Sequence, residues 1–511
     1  MQITTPPPTN ASAGLGGDPH EQELLSNVRP ADWVNPTPSG VYQLLIIGAG
    51  PGGIAAARTA AALGVKVALI ERHRLGGGSL SYGCVPSKAM IRTARVYADM
   101  RNAPNFGAVP PRAIEVDFQM AMERLRHIRA RISRVDSAAR LIAEGIDLYF
   151  GVAHFVGADA VEVAGQRLRF KKALIATGSR SIVPEIPGLT EVGYLTNESV
   201  FNLTVPPRSL LVIGGGPLGC ELAQAFSRLG VKTIIAHNAP LFLPKEERDA
   251  AQMMSDALAR DGVEIHLNSD VLSARMEHGR KRVELVNDGQ LTTVDVDEIL
   301  TGIGHMPAVR ALRLEAAGVA YDPEAGVHVD DFLRTSNPRI YAAGDVCLEH
   351  KYSNMAVASA CVAVQNALFY GRKRMSVLTI PWCTYTDPEI AHIGMSVRQA
   401  RERDIPVKTF TVPMHDDDRA ITDGEENGFV KIHVREGTDT ILGATIVARD
   451  AGEMINGISM AMVAGMGLGA LATVVHAHPT QGEAIKMAGE AYLRTQHPHV
   501  VARLLRAWVN R

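Results

Sequence analysis

The sequence has no surplus of charge of either sign: 52 basic residues stand against 54 acidic ones in 511 positions, a net charge of −2. A protein that binds nucleic acid by neutralising phosphates needs a basic excess, and none exists here. Aromatic residues are scarce, at 5%, which disfavours a base-stacking platform. Cysteine is scarce as well. Cys84, Cys220, Cys347, Cys361 and Cys383 are the only five, and no two stand at CxxC spacing. A zinc ribbon and a thioredoxin-type motif are therefore excluded. The odd count and wide spacing fit a reducing, cytoplasmic setting better than a secreted disulfide scaffold. A targeting signal is missing too: residues 1–40 are rich in Pro, Thr, Gly and Asn, without a basic or an apolar region. They read as a mobile or loosely docked arm. No membrane span is expected. Residues 455–475 carry no charge, but Gly465, Gly467 and Gly469 interrupt them, and Asn456, Ser459 and Thr473 are polar. A buried or interface helix followed by a loop fits that stretch.

The remaining composition is that of a globular chain, 46% hydrophobic and 21% charged. At roughly 150 residues per domain it predicts about three domains, with cores large enough to need no structural metal. The informative feature is a design that occurs twice. Leu44-Leu45-Ile46-Ile47 reads as a buried strand, followed by the turn Gly48-Ala49-Gly50-Pro51-Gly52-Gly53, a helix from Ile54, and a strand ending at Glu71. The pattern returns 166 residues later: Leu210-Leu211-Val212-Ile213, then Gly214-Gly215-Gly216-Pro217-Leu218-Gly219, a helix from Cys220, and a strand through Ala236. Each copy has the strand–turn–helix–strand context of a dinucleotide fingerprint. The first glycine permits the tight turn. The second lets the backbone approach a pyrophosphate, and the third lets helix and strand pack closely. The helix N-terminus then holds the phosphate charge. One GxGxxG is weak; two copies in full context predict two dinucleotide sites.

The copies differ in one place. Glu71 lies 18 positions after Gly53, and at the same offset from Gly219 stands His237, then Asn238. A carboxylate accepts from a ribose diol and repels a 2′-phosphate. The first site thus suits an unphosphorylated ribose. The second lacks both that repulsion and a neighbouring arginine, which predicts that it takes NADPH as well as NADH. The plain alternative is a solvated histidine with no part in the choice.

Between the copies runs Gly76-Gly77-Gly78-Ser79-Leu80-Ser81-Tyr82-Gly83-Cys84-Val85-Pro86-Ser87-Lys88. This stretch resembles the signature of the class I pyridine nucleotide-disulfide oxidoreductases, which include dihydrolipoamide dehydrogenase, glutathione reductase and mercuric reductase. Ala176-Thr177-Gly178 and Gly302-Ile303-Gly304-His305-Met306-Pro307 resemble the family's two closing turns. Tyr341-Ala342-Ala343-Gly344-Asp345 is similar to its second flavin-contact motif, Thr386-Asp387-Pro388-Glu389 to the opening of its interface domain, and residues 476–483 to its C-terminal His–Glu motif. The resemblance covers about 41–498. It implies an α/β fold with two Rossmann-like dinucleotide-binding domains and an α+β C-terminal dimerisation domain. The FAD domain would span 41–190 and 308–376, the NAD(P) domain 191–307 and the dimerisation domain 377–511, after the arm 1–40. It implies FAD on Gly48, Gly50, Gly53, Glu71, Gly178, Gly344 and Asp345, with Ser79 beside it. NADH or NADPH would lie on Gly214, Gly216, Gly219, His237 and Gly304. It also implies a homodimer with active sites shared between subunits.

One departure matters. The family's active centre is a Cys-x-x-x-x-Cys disulfide, and here its first cysteine is Ser79, leaving Cys84 alone. A hydroxyl can neither form nor accept a disulfide, so the usual relay is broken. Pro86 and Ser87 suggest a helix starting near Cys84, and helix N-termini favour thiolates. Lys88, four residues on, shares the helical face; the family pairs this lysine with a glutamate, a position matched by Glu221. Cys84 is then either a single-thiol redox centre or a relic beside a flavin that acts alone. His478 and Glu483 match the family's acid–base pair, or else persist only to support the dimer interface. His476 reads as structural. Asp416-Asp417-Asp418 reads as a solvated loop, since consecutive acids point apart; no metal is expected.

The reading reached from the sequence is an FAD-dependent NAD(P)H oxidoreductase. It would pass hydride from nicotinamide to flavin and on to a small-molecule acceptor, directly or through Cys84. The alternatives are a disulfide or mercuric reductase, against which Ser79 argues, and a catalytically silent flavoprotein.

Overall fold

The computed structural model describes residues 17–369, 371–496 and 508–509. The chain forms two compact units, Met1–Asn238 with Glu264–Leu378, and Ala239–Val263 with Thr379–Arg511.

The first unit is built around the strands β1 (Val41–Ile47), β2 (Val67–Glu71), β3 (Ile146–Phe150), β4 (Ala153–Gly157), β5 (Ala160–Val163) and β6 (Gln166–Ile175). Their order is β3-β2-β1-β6-β5-β4, and the strand Ile340–Ala342 pairs with β6 as well. β1, β2, β3, β6 and Ile340–Ala342 run parallel, while β5 pairs antiparallel with both β4 and β6. Near-continuous apolar runs such as Leu44–Ile47 and Val67–Ile70 suit strands covered on both faces, and these residues are buried. A second parallel sheet follows, ordered Glu264–His266, Lys232–Ala236, Ser209–Ile213, Glu298–Thr301, with an antiparallel meander over residues 269–296 beside it in sequence.

α2 (Pro51–Ala61) lies on the first sheet, and α1 (Pro19–Val28), α3 (Gly77–Ser81), α4 (Cys84–Asn102) and α5 (Phe118–Ser133) add side chains to the same core. α1 corrects the expectation of a loosely docked arm. Asp18 caps it, accepting from the backbone N–H groups of His20 and Glu21, and Pro19 starts it with a preset φ. Leu24 and Val28 have no exposed surface, a burial that stabilises by about 2 kcal/mol for each side chain. The remaining residues of that arm, 1–16, lie outside the described residues.

In the second unit five antiparallel strands are ordered Pro381–Thr384, Glu389–Gly394, Ile441–Ala448, Phe429–Arg435, Val407–Pro413, with helices Ala451–Val463 and Glu483–Gln496 on them. The uncharged stretch from Ile455 ends its helix at Val463 and breaks at Gly465, which has a φ of 68°. No helix among the described residues is long and apolar enough to cross a membrane. One stretch departs from the expected 191–307 domain: Ala239–Val263 groups with the C-terminal strands. The reason is polar. Trp382 Nε1 donates to Glu246 at 2.7 Å, Lys431 binds Glu247 and Asp249, and His433 Nε2 meets Glu247 at 3.2 Å.

Candidate functional site

The two fingerprints form the same backbone cradle twice. Gly48 N–H donates to Ile70 O at 2.8 Å, and Gly214 N–H to Ala236 O at 2.9 Å. Ala176 N–H donates to Ile47 O and Gly302 N–H to Ile213 O, both at 2.8 Å. The glycines divide by cause. A Cβ on Gly48 would lie 2.3 Å from Ala176 O, and one on Gly214 would lie 2.6 Å from Gly302 O. A Cβ on Gly53 would sit 1.8 Å from Gly48 O, and one on Gly219 1.9 Å from Gly214 O. Protein sterics alone therefore demand the first and third glycines of each copy. The second glycines are different. A Cβ on Gly50 would meet nothing nearer than Gly77 Cα at 4.0 Å, and one on Gly216 meets nothing within 4 Å. Both have φ near −75°, which any residue adopts. Nothing in the protein requires glycine there, whereas a pyrophosphate approaching the helix N-terminus does. The residues present thus fit two dinucleotides.

Glu71, at the end of β2, is 8% exposed. Its Oε2 accepts from Ala49 N–H at 2.9 Å and its Oε1 from His73 N–H at 2.7 Å. Burial raises its pKa, opposed by those two backbone bonds. It borders a cleft with Gly48, Arg72, Gly151 and Thr177. In the second cradle His237 Nδ1 accepts from Gly215 N–H at 3.2 Å. The imidazole thus takes over the acceptor position that the carboxylate fills in the first cradle, and does so without a charge. Gly178 (φ 69°), Gly304 (φ 117°) and Gly344 (φ 74°) occupy the left-handed region. Asp345 follows Ile340–Ala342 and accepts from Ser179 Oγ at 2.7 Å, which brings the Gly344-Asp345 motif beside the strand Ser179–Ser181.

Ser79 lies in α3, whose Gly77 packs against the first cradle: a Cβ on Gly77 would be 2.7 Å from Gly50 Cα. The chain then turns so tightly that a Cβ on Gly83 would be 3.3 Å from Ser79 Cα. Cys84 is exposed and is the first residue of α4. Its Sγ stands 3.6 Å from Ser353 Oγ. One turn on, Lys88 Nζ reaches Glu221 Oε2 at 2.7 Å. Glu221 is buried in the helix Pro217–Arg228 that opens from the second cradle. Lys88 thereby joins the helix bearing the thiol to the helix that opens from the second cradle. Desolvation pushes up the pKa values of the buried Cys220 thiol and the partly buried Cys347 thiol, which suits packing.

Sequence reasoning missed several neighbours. The Tyr82 ring lies over Gly78, and burial raises its phenol to about 12. Burial also raises the Glu198 carboxyl, while Asn197 donates to Tyr82 O at 3.4 Å. Burial lowers the His305 pKa, with Asp345 opposing. Ser353 and Asn197 stand 269 and 115 residues from their partners Cys84 and Tyr82, so no local signal marks them.

In the second unit His478 Nδ1 donates to Glu483 Oε2 at 3.0 Å, and Thr480 N–H to the same oxygen at 3.2 Å. The Thr480 bond, with His478 adding to it, holds the Glu483 carboxyl below its usual range. His476 Nδ1 meets Val474 O, away from this pair. Asp417 is the N-cap of the helix Asp418–Asp423, accepting from Arg419 and Ala420 N–H. The expected solvated loop is thus corrected: Asp417 is buried as a cap, while the exposed Asp416 and Asp418 end a short 3-10 helix and begin the next helix, and no group of three or more metal-ligating side chains exists among the described residues.

The family model described as pyridine nucleotide-disulphide oxidoreductase matches residues 42–367, and that of its dimerisation domain matches 380–489. The chain belongs to the pyridine nucleotide-disulfide oxidoreductase family, whose members are enzymes that use FAD and NAD(P)H. It is 32% identical to a mercuric reductase of Staphylococcus aureus over 94% of this chain and 87% of that one. It is 33% identical to a dihydrolipoyl dehydrogenase of Geobacillus stearothermophilus over 89% and 96%. Among solved structures, the HOCl-induced flavoprotein disulfide reductase RclA from Escherichia coli superposes with a TM-score of 0.77 at 29% identity, over 87% of this chain and 98% of that one. LpdA from Mycobacterium tuberculosis gives 0.81 at 26%, over 88% and 100%.

Proposed function

We propose that this member is an NAD(P)H oxidoreductase whose reaction centre works with a single thiol, Cys84, and no CxxxxC disulfide. One observation supports the reading: α3, which packs on Gly83 just before Cys84, carries Ser79 and no second cysteine. Disulfide and mercuric reduction, the activities after which several relatives are named, both draw on a dithiol that this turn does not offer.

Bound FAD supplies the two-electron chemistry between NAD(P)H and the acceptor. The protein's part is charge and geometry. Lys88, held by Glu221, places a fixed cation on the helical face that Cys84 begins. His478 keeps Nε2 available for proton exchange with the acceptor, because its Nδ1–H is given to Glu483. The acceptor class is a quinone, oxygen, a second nicotinamide or a mixed disulfide. The neutral acceptor at His237 supports use of NADPH alongside NADH, and the dimerisation domain supports a homodimer that shares its active sites. Anaerobic reductive titration tests the reading: uptake of two electrons per flavin is expected. Four per flavin would show a second redox centre and overturn it.

A further inference from the structure

Residues 72–81 connect Glu71, at the first cradle, to the turn that holds Ser79 and leads into Cys84. Within this segment Gly76 N–H donates to Ala49 O at 2.9 Å, inside the fingerprint itself. The same segment is gripped from outside by the chain N-terminal to β1. Leu75 N–H donates to Val28 O at 3.1 Å. Arg29 donates to the carbonyls of Arg72 at 3.3 Å and His73 at 3.4 Å, with its guanidinium 4.5 Å from the Phe150 ring centroid. Glu21 splits its carboxylate, taking Arg74 on Oε1 at 2.9 Å and Arg129 on Oε2 at 3.0 Å. Arg129, only 2% exposed, passes the restraint on by donating to Ser81 O at 3.0 Å. Asp18 holds the neighbouring Arg126 at 2.5 Å.

A helix that merely filled a groove would need its apolar face, Leu24 and Val28, and little else. This one spends a buried carboxylate and an arginine on successive carbonyls and side chains of one functional loop. Buried ion pairs add little to net stability over an apolar substitute, but they fix geometry well. The segment also lies outside the family model, which begins at residue 42. We propose that residues 18–35 are a positioning segment of the flavin site, in which Glu21, through Arg129, and Arg29 set the 72–81 loop against the first cradle and the turn before Cys84. The inference draws on FAD as cofactor and not on the choice of acceptor, so failure of the single-thiol reading would leave it standing.

The test uses the FAD-loaded full chain and two readouts apart from turnover: the rate of FAD release, followed by flavin fluorescence, and the rate of Cys84 alkylation by N-ethylmaleimide. Glu21→Gln and Arg29→Met are each expected to release FAD about tenfold faster, the equivalent of one charge-assisted hydrogen bond, and to change the alkylation rate. Glu21→Gln also lowers the melting temperature by stranding Arg129. The double variant Glu21→Gln/Arg129→Met removes both buried charges and so regains the melting temperature, but it still releases FAD fast because Ser81 O has lost its donor. Unaltered release and alkylation rates in the double variant and in Arg29→Met would show that α1 is packing only. Should Glu21→Gln fail to fold, Arg29→Met decides alone, since its half-buried side chain can be shortened without opening a core.

Discussion

The two kinds of glycine in the first cradle separate ligand binding from folding at the level of one methyl group. Gly50→Ala places its Cβ at an ordinary contact distance from Gly77, so the variant is expected to fold with an unchanged melting temperature and to be purified with little bound flavin. Gly53→Ala drives a Cβ into Gly48 O and is expected to cost roughly 2–3 kcal/mol of stability, as overpacked sites do. Flavin absorbance per chain and thermal melting distinguish the two; a stable, fully yellow Gly50→Ala protein would refute the assignment of that turn. Much at this scale was legible in the sequence. The fingerprint spacing fixes which glycine meets backbone and which meets ligand, and the i, i+4 relation of Cys84 and Lys88 follows from helix geometry. The neighbours Ser353, Glu198 and Tyr82 were not legible, because burial and long-range packing place them and no short pattern encodes either.

At the level of elements, the N-terminal helix shows where sequence reading fails and why. Asp18-Pro19-His20-Glu21 carries a helix-start signal of an acidic N-cap, proline in the first turn and glutamate at the third helical position. That signal is submerged in a stretch otherwise rich in proline and glycine, and the partners that hold the helix, Arg126 and Arg129, lie 108 residues away in each case. The segment before helix Arg248–Arg260 is a second example, bound to the C-terminal strands by acids that no periodicity marks. It also yields a pH dependence. Burial raises the Glu246 carboxyl to about 7, with Trp382 opposing, whereas an unfolded glutamate ionises near its ordinary 4.5. The folded form prefers the protonated acid, so this contribution to stability is complete below about pH 4.5 and is lost as the pH rises through 7. Glu247 runs the other way. The His433 bond draws it down to about 2, so its stabilisation holds above 4.5 and fades as the pH falls towards 2. Glu246→Gln is therefore expected to match the unaltered chain at pH 4 and to exceed it at pH 8 by on the order of 2 kcal/mol. Denaturant midpoints at the two pH values measure this, and an equal gap at both would exclude Glu246 as the source.

For the whole molecule, the thiol with its lysine lies in the first compact unit, and the His478–Glu483 pair in the second. In a homodimer whose sites are shared, Cys84 of one subunit would work with His478 of the other. Co-expression of Cys84→Ser with His478→Ala then forms mixed dimers in which one site carries both defects and the other carries none. With random pairing about a quarter of all sites regain function, although each variant alone is inactive. Steady-state turnover of the co-expressed mixture measures the recovery; no recovery would mean that each active site is completed within one chain.

The twin cradles also bear on how the choice of coenzyme is set. A backbone N–H in the same place is satisfied by an acid in one copy and by an imidazole in the other, so the turn survives a change of side chain that alters what the ribose meets. The same mould can in this way be rekeyed at a single position. On the dual coenzyme use proposed above, reducing equivalents from the biosynthetic pool and from the catabolic one would reach the same flavin without a rebuilt scaffold.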